Sequence, residues 1–332
     1  MSSEPSTQPR HGEFELIARY FTPAPPGPEA GVALGVGDDC TLLAPAPGRQ
    51  LAVSVDTSVA GVHYPEEAPA EAVGHRALAV SLSDLAAMGA RARWCLMSLT
   101  LASADDAWLA GFSRGFRTLC DMTGTALVGG DVTRGATSIG VTVMGEVVPG
   151  QALTRHGGRP GDLVAVTGAL GGGAGGLVAW QRGERDLAHP LLARYLRPQP
   201  RLAAGEALVG LATAAIDVSD GLLADLGFGL DLSRCAATGL NDDLAYVSPR
   251  TGRAVSLSAG EPYRDRLLRL PGFLIGRGDD TPEDILHGLE LTGFFLDRHV
   301  FGLNHKPLPA ARIRFIDRLR QSATISGGGA TE

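Results

Sequence analysis

Five short aspartate motifs punctuate the chain, at places where a carboxylate is expensive to bury. GVGDDC carries Asp38 and Asp39, SVDTSVAGVHY carries Asp56 and His63, and SLSDLAAMGA carries Asp84. GGDVTRG carries Asp131, and IDVSDG carries Asp217 and Asp220. Several of these close an apolar strand or sit inside an apolar helix, where an ionised carboxyl needs a partner or a metal ion. Asp84 is the clearest case, standing among Val80, Leu82, Leu85 and Ala86. An isolated aspartate after a strand is more often a turn or helix cap. Five such motifs in one chain weaken a purely structural account. Few basic residues lie near them in sequence, so a hard, oxygen-loving cation such as magnesium is the natural partner.

The elements around these motifs read as mixed α/β in two domains. Residues 12–21 (GEFELIARYF) fit a short amphipathic helix, and the proline- and glycine-rich stretch 22–33 fits a loop. In LAVSVD, Leu51, Val53 and Val55 fall on one strand face, and Ser54 and Asp56 on the other. A helix is expected over 75–88, stopped by Gly89, and a strand over 94–101. Ser103 with Asp106 reads as the cap of a helix running to Met122, followed by strands near 125–129 and 138–148. The turn-rich PGQALTRHGGRPG marks a domain boundary. It separates a first domain at 12–149 from a second at 150–320, with flexible ends at 1–11 and 321–332. The second domain opens on an expected strand at 162–168, a glycine turn at 168–176 and a helix, with more helix near 189–212. A short strand ending at Asp217 and a Ser219-capped helix bearing Asp220 and Asp225 follow. Residues 231–266 look irregular, while 282–296 and 309–320 fit helices.

Composition excludes some classes. Lys306 is the only lysine, so neither a Walker A loop nor a protein-kinase strand lysine is available before that position. If the chain handles a nucleotide triphosphate, metal ions, arginines and backbone amides must balance the phosphates. The net charge of −7 argues against nucleic acid as the main partner. The cysteines Cys40, Cys95, Cys120 and Cys235 form no C-x-x-C pair, which argues against zinc and against a disulfide scaffold. No stretch reaches the length of a membrane span, and no signal-like apolar region opens the chain, so a cytoplasmic location is expected.

Other residues read two ways. The 168–176 turn can present backbone amides to an anion, or can simply be a tight turn with close helix packing. Arg134 and Arg155 can meet phosphates or remain solvated surface arginines. His63, one strand end away from Asp56, is by itself more often a packing or capping histidine than a ligand.

The run GEFELIARYF, GVGDDC, SVDTSVAGVHY, ALAVSLSDLAAMGA, GGDVTRG, ALTRHGGRPGD, VTGALG and IDVSDGLLADLG closely resembles the thiamine-monophosphate kinase family, over about residues 12–228. The resemblance implies ATP-dependent phosphorylation of thiamine monophosphate to thiamine diphosphate, a step of thiamine biosynthesis. It implies an α/β (α+β) two-domain fold like aminoimidazole ribonucleotide synthetase, its N-terminal domain pairing into a dimeric β-barrel. Carried over by motif, Asp39, Ser54, Asp56, Asp84, Asp131, Asp217 and Asp220 would hold several Mg²⁺ ions, with Val55 acting through its backbone. Gly130, Asp131, Arg155 and Ser219 would contact ATP, and His63 the substrate. No general base is expected, since a phosphate monoester is already anionic near neutral pH. The expected partners are ATP, thiamine monophosphate and a second copy of the chain, with no nucleic acid and no membrane.

The family's second domain normally carries a GG(E/D)DYEL motif and ends near GYDHF, and neither is present. GRGDDTPEDIL at 276–286 is a faint echo of the first. Two alternatives therefore stand beside the kinase: an ATP-dependent enzyme of the same fold acting on another small phosphorylated substrate, and a protein that binds Mg-nucleotide without turnover.

Overall fold

The computed structural model describes residues 13–22, 30–159, 161–222, 225, 230–275, 277, 281–298, 307–308 and 310–326. The expected flexible end at 1–11, most of the 22–33 loop and residues 327–332 lie outside them. The chain divides into two compact units. The first is Met1–Arg159 with Ala165–Asp217, and the second is Pro160–Val164 with Val218–Glu332.

In the first unit, α1 (Glu13–Leu16) continues as a π-helical turn, Ile17–Phe21. A small hairpin follows, β1 (Val32–Leu34) with β2 (Leu42–Leu43). The main sheet is built from β3 (Gln50–Val59), β4 (Arg91–Leu101), β5 (Ala126–Arg134) and β6 (Ser138–Val147), in the order β3-β6-β4-β5. The β3/β6 and β4/β6 pairs are antiparallel, and β4/β5 is parallel. A parallel pair needs a crossover, supplied by α3 (Asp106–Thr123).

One face of this sheet is covered by α3 and by α2 (Ala70–Ala87), with Cys95, Met97, Leu99, Val141 and Val143 packed against Leu78, Leu82, Phe112 and Phe116. The two helices cross closely because Gly74 allows it: a Cβ there would stand 2.1 Å from the Phe112 carbonyl oxygen. Helix α3 is capped by Asp105, whose carboxylate accepts the Trp108 N–H at 2.7 Å, and not by Ser103 as the sequence suggests. Asp105 reaches the orphan N–H of the first turn from the residue directly before the helix.

The other face is covered only at one end. There Val32 and Leu43 of the hairpin pack on Trp94, Val128 and Met144. Elsewhere it is open, and Leu51, Val53 and Val55 are 46%, 57% and 64% exposed. The strand pattern is therefore as expected, but its apolar side faces outward and Ser54 and Asp56 lie half-buried on the helix side. The sheet is open, so the described residues contain no closed barrel.

The 165–217 segment joins the first unit, so contacts do not divide the chain at 149/150 as expected from the turn-rich stretch. It contains α4 (Gly172–Gln181), α5 (Pro190–Leu196) and α6 (Leu202–Leu208), the last two making up the helix expected near 189–212. The sequence RPQPR at 197–201 separates α5 from α6, since proline removes a donor and disfavours helix before it. Trp180, Leu192, Leu196 and Leu202 belong to the same core as α2. His75 Nε2 reaches the Pro198 carbonyl at 2.8 Å, and Arg76 donates to the Tyr195 carbonyl. The strands expected at 162–168 and 214–217 do not form: no described segment pairs with either in a ladder, and a strand without partners leaves its backbone groups unpaired.

The second unit contains β7 (Leu244–Val247), β8 (Ala254–Ser256) and β9 (Leu268–Arg269), in the order β8-β7-β9 and antiparallel throughout. The helices are α7 (Leu257–Gly260), α8 (Pro282–Leu296) and α9 (Ala310–Ser326). Its own core gathers Cys235, Leu244, Val247, Ala254, Val255, Leu270, Leu291 and Phe295. The expected irregularity of 231–266 thus resolves into a small sheet. Helix α8 opens where expected, with Thr281 Oγ1 accepting the Asp284 N–H at 3.1 Å.

Candidate active site

The first unit carries two groups of the candidate residues. One lies where β3 runs beneath α2. Ser54 donates to Asp84 Oδ2 at 2.5 Å. Asp56, two residues along the same strand face, has its carboxyl pushed above the ordinary range, first by burial and then by the negative charge of Asp84, with His63 opposing. Burial favours the neutral form of an acid, and a like charge does the same. Two carboxylates and a hydroxyl thus share a half-buried place, and an oxygen-only donor set of this kind fits a hard divalent cation such as Mg²⁺. His63 closes the turn after β3: its Nδ1 accepts the Val59 N–H at 3.0 Å, so one ring nitrogen is already engaged by the backbone.

The second group surrounds a cavity of 740 Å³. One wall is the loop 35–41, with Asp38 and Asp39, and another is the stretch from Leu127 to Val132, with Gly130 and Asp131. Asp131 is exposed on β5, opposite Ser98. Gly130 is required there, with φ at +151° and a Cβ position only 1.8 Å from the Met97 carbonyl oxygen. A smaller cavity of 450 Å³ also touches Gly130 and Asp131, together with Val55, Thr57, Ser98 and Thr142. Arg134 ends β5, and Arg155 is exposed in a short 3₁₀ turn, Arg155–Gly157.

The remaining candidates divide between the units. Asp217 closes the first, while Ser219 and Asp220 belong to the second and are exposed. Asp225 organises their turn, accepting the N–H groups of Ser219 and Gly221 at 3.1 Å each. The body of the helix expected there falls on residues outside those described. The glycine turn at 168–176 does open a helix, with Gly171 at φ +82° as the residue before α4. Among the described residues no three His, Cys, Asp or Glu side chains stand close enough to hold a metal ion. No described helix is long and apolar enough to cross a membrane.

Comparison with known proteins also finds two parts, the second beginning at residue 214, close to the division of contacts after Asp217. Residues 37–147 match the family of AIR synthase related proteins, N-terminal domain. Residues 214–309 match a different one, recombination protein O, C terminal. The thiamine-monophosphate kinase of Escherichia coli (strain K12) is 44% identical over 264 residues, covering 76% of this chain and 81% of that one. The DNA repair protein RecO of Rhodospirillum centenum is 66% identical over 109 residues, covering 32% of this chain and 44% of that one. The chain therefore spans less than half of that relative's length. Among solved structures, the thiamine-monophosphate kinase of Stenotrophomonas maltophilia K279a aligns with a TM-score of 0.57 at 46% identity, covering 61% of this chain and 70% of that one. AaThiL complexed with AMPPCP and TMP aligns with a TM-score of 0.52 at 28% identity, covering 57% and 66%.

The second-domain motifs of the kinase family are missing where the chain matches a different family. The stretch from 214 to 309 is similar to another protein, and it holds the conspicuous run CAATGLNDDLAYVSPRTGRAV, which carries no kinase motif. With the aspartate motifs on an AIR synthase-like unit, and most of the length of a curated kinase matched, the chain belongs to the thiamine-monophosphate kinase family and carries a C-terminal segment similar to recombination protein O.

Proposed function

We propose that this chain transfers the γ-phosphoryl group of ATP to thiamine monophosphate, giving thiamine diphosphate and ADP. The observation that carries the reading is the Ser54–Asp84–Asp56 group, in a chain 44% identical to a thiamine-monophosphate kinase over 81% of that protein. The acceptor phosphate is an anion, so no side chain need remove a proton from it. The task is to bring two mutually repelling phosphates into line. Asp39, Ser54, Asp56, Asp84, Asp131, Asp217 and Asp220, with the Val55 backbone, are the residues proposed to hold Mg²⁺. When bound, the ions would neutralise charge developing between the donor and acceptor oxygens. Gly130 leaves room for a phosphate beside β5, Arg155 and Ser219 contact the ATP tail, and His63 touches the substrate. The open apolar strip of Leu51, Val53 and Val55 supports a homodimer, in which two sheets close their uncovered faces on one another.

A second reading is favoured by the match over 214–309. That segment occupies the place of the thiamine-end motifs, so the first unit would hold Mg-nucleotide without turnover, and the C-terminal unit would act as the corresponding module does in its DNA-repair relatives. Incubation with ATP, Mg²⁺ and thiamine monophosphate separates the readings. Thiamine diphosphate and ADP support the first. Mg-ATP binding by calorimetry, with no product from thiamine monophosphate or from a panel of phosphorylated metabolites, supports the second.

A further inference from the structure

The loop 35–41, which brings Asp38 and Asp39 to the 740 Å³ cavity, is largely exposed, and what fixes it is its base. The Gly31 carbonyl accepts the Ala44 N–H at 2.8 Å and closes the loop. Both flanks are then tied to the main sheet by side chains. On the entering side, the indole N–H of Trp94 donates to the Ala30 carbonyl at 2.7 Å, and Trp94 is fully buried beneath Val32 and Leu43. On the leaving side, Glu146 Oε1 accepts the Ala46 N–H at 2.7 Å, and Oε2 stands 3.7 Å from Arg93 Nε. Glu146 is the single carboxylate among the described residues that is buried, at 7% exposure. A buried charge held by one backbone N–H and a long ion pair is a poor device for stability alone. What distinguishes it is its partner: Ala46 lies two residues beyond the loop base at Ala44, while Glu146 itself is fixed on β6, opposite Leu51 of β3.

We propose that Glu146 is a positioning residue for the Asp38–Asp39 loop. With Trp94 it anchors the two flanks, so that Asp39 and Asp131 stay on the walls of one cavity. The inference rests on that cavity serving the Mg-nucleotide, and its test separates the two claims.

The full-length protein and its Glu146→Ala, Glu146→Gln and Trp94→Phe variants would be compared by amide hydrogen exchange over residues 31–46, and by calorimetric binding of Mg·AMPPCP. Glu146→Ala is expected to speed exchange of the Ala44 and hairpin amides and to weaken Mg·AMPPCP, each by about tenfold, the scale of one buried hydrogen bond. Exchange in α3 should not change. Glu146→Gln keeps an acceptor for the Ala46 N–H and should recover most of both effects, which a loss of general stability would not allow. If Glu146→Ala does not fold, Trp94→Phe reads the same clamp from its other side, since it removes the N–H and keeps a ring. Unchanged exchange over 31–46 in a folded Glu146→Ala or Trp94→Phe protein overturns the clamp. Faster exchange with unaltered Mg·AMPPCP affinity overturns the positioning role. An unmodified protein that binds no Mg·AMPPCP overturns the functional reading of the cavity, while the exchange data still decide whether the clamp exists.

Discussion

The Ser54 hydroxyl and Asp84 Oδ2 stand 2.5 Å apart, joining the middle of β3 to the last turn of α2. A hydrogen bond to an ionised acceptor is roughly twice as strong as a neutral one. Here it ties a strand residue to a carboxylate that also repels Asp56. The repulsion is one cause of the raised Asp56 carboxyl, and the proposed Mg²⁺ would relieve it.

Neutralising one carboxylate should therefore separate stability from activity. Asp56→Asn removes a like charge from the metal-free protein, whose melting temperature without Mg²⁺ should stay level or rise by a few degrees. Mg²⁺ should stabilise the unmodified protein more than the variant, and phosphorylation of thiamine monophosphate should be lost. Calorimetric melting with and without Mg²⁺, alongside the assay, checks this. A variant that keeps its activity would remove Asp56 from the metal-binding group.

Gly130→Ala should damage the first unit itself. The residue sits at φ +151°, and the new methyl would meet the Met97 carbonyl oxygen. A loss of about 3 kcal/mol or more is expected, because both the backbone and the β4–β5 approach must yield. Denaturant unfolding measures it, and a loss below about 1 kcal/mol would show that the strand pair adjusts freely.

The exposed strip on β3 predicts an association surface. A Leu51→Arg, Val53→Arg double variant should sediment as a monomer at concentrations where the unmodified chain sediments as a dimer. Equal sedimentation of the two proteins would place any dimer contact elsewhere.

In the second unit, Cys235 links fold stability to pH. Burial pushes its thiol up, but hydrogen bonds from Ser256 and Thr238 outweigh that and bring it down to about 6. The folded state thus binds fewer protons than the unfolded one in the window between about 6 and the ordinary value of 9.0. Stability rises with pH there: the contribution is full above the ordinary thiol value and is lost as pH falls through about 6. Unfolding midpoints for the second unit's transition should differ between the two ends of that window, and Cys235→Ala should shrink the difference. An identical pH dependence in the variant would contradict the assignment.

Much of the first unit is legible in the sequence because its signals are local. The alternation in LAVSVD, the apolar run of α2 and the Gly89 stop each report a nearby physical need. What alternation could not reveal is which face of β3 meets the helices, since Leu51, Val53 and Val55 look like core residues and lie exposed. The expected strands at 162–168 and 214–217 failed for a related reason: a strand depends on partners elsewhere in the chain. The Ser103 cap lost to Asp105, a competition decided within three residues. Of the site, the Asp56–Asp84 neighbourhood was readable from expensive carboxylates, whereas Glu146 was not. It has no motif, and only its burial and the Ala46 N–H single it out. The C-terminal unit was visible as a departure, but a departure does not name its source.

Phosphoryl transfer to thiamine monophosphate is tested most directly by product formation by the purified full-length chain with ATP, Mg²⁺ and thiamine monophosphate. Equal amounts of thiamine diphosphate and ADP, abolished by removing Mg²⁺, are expected. Tight Mg-ATP binding with neither product formed would contradict it.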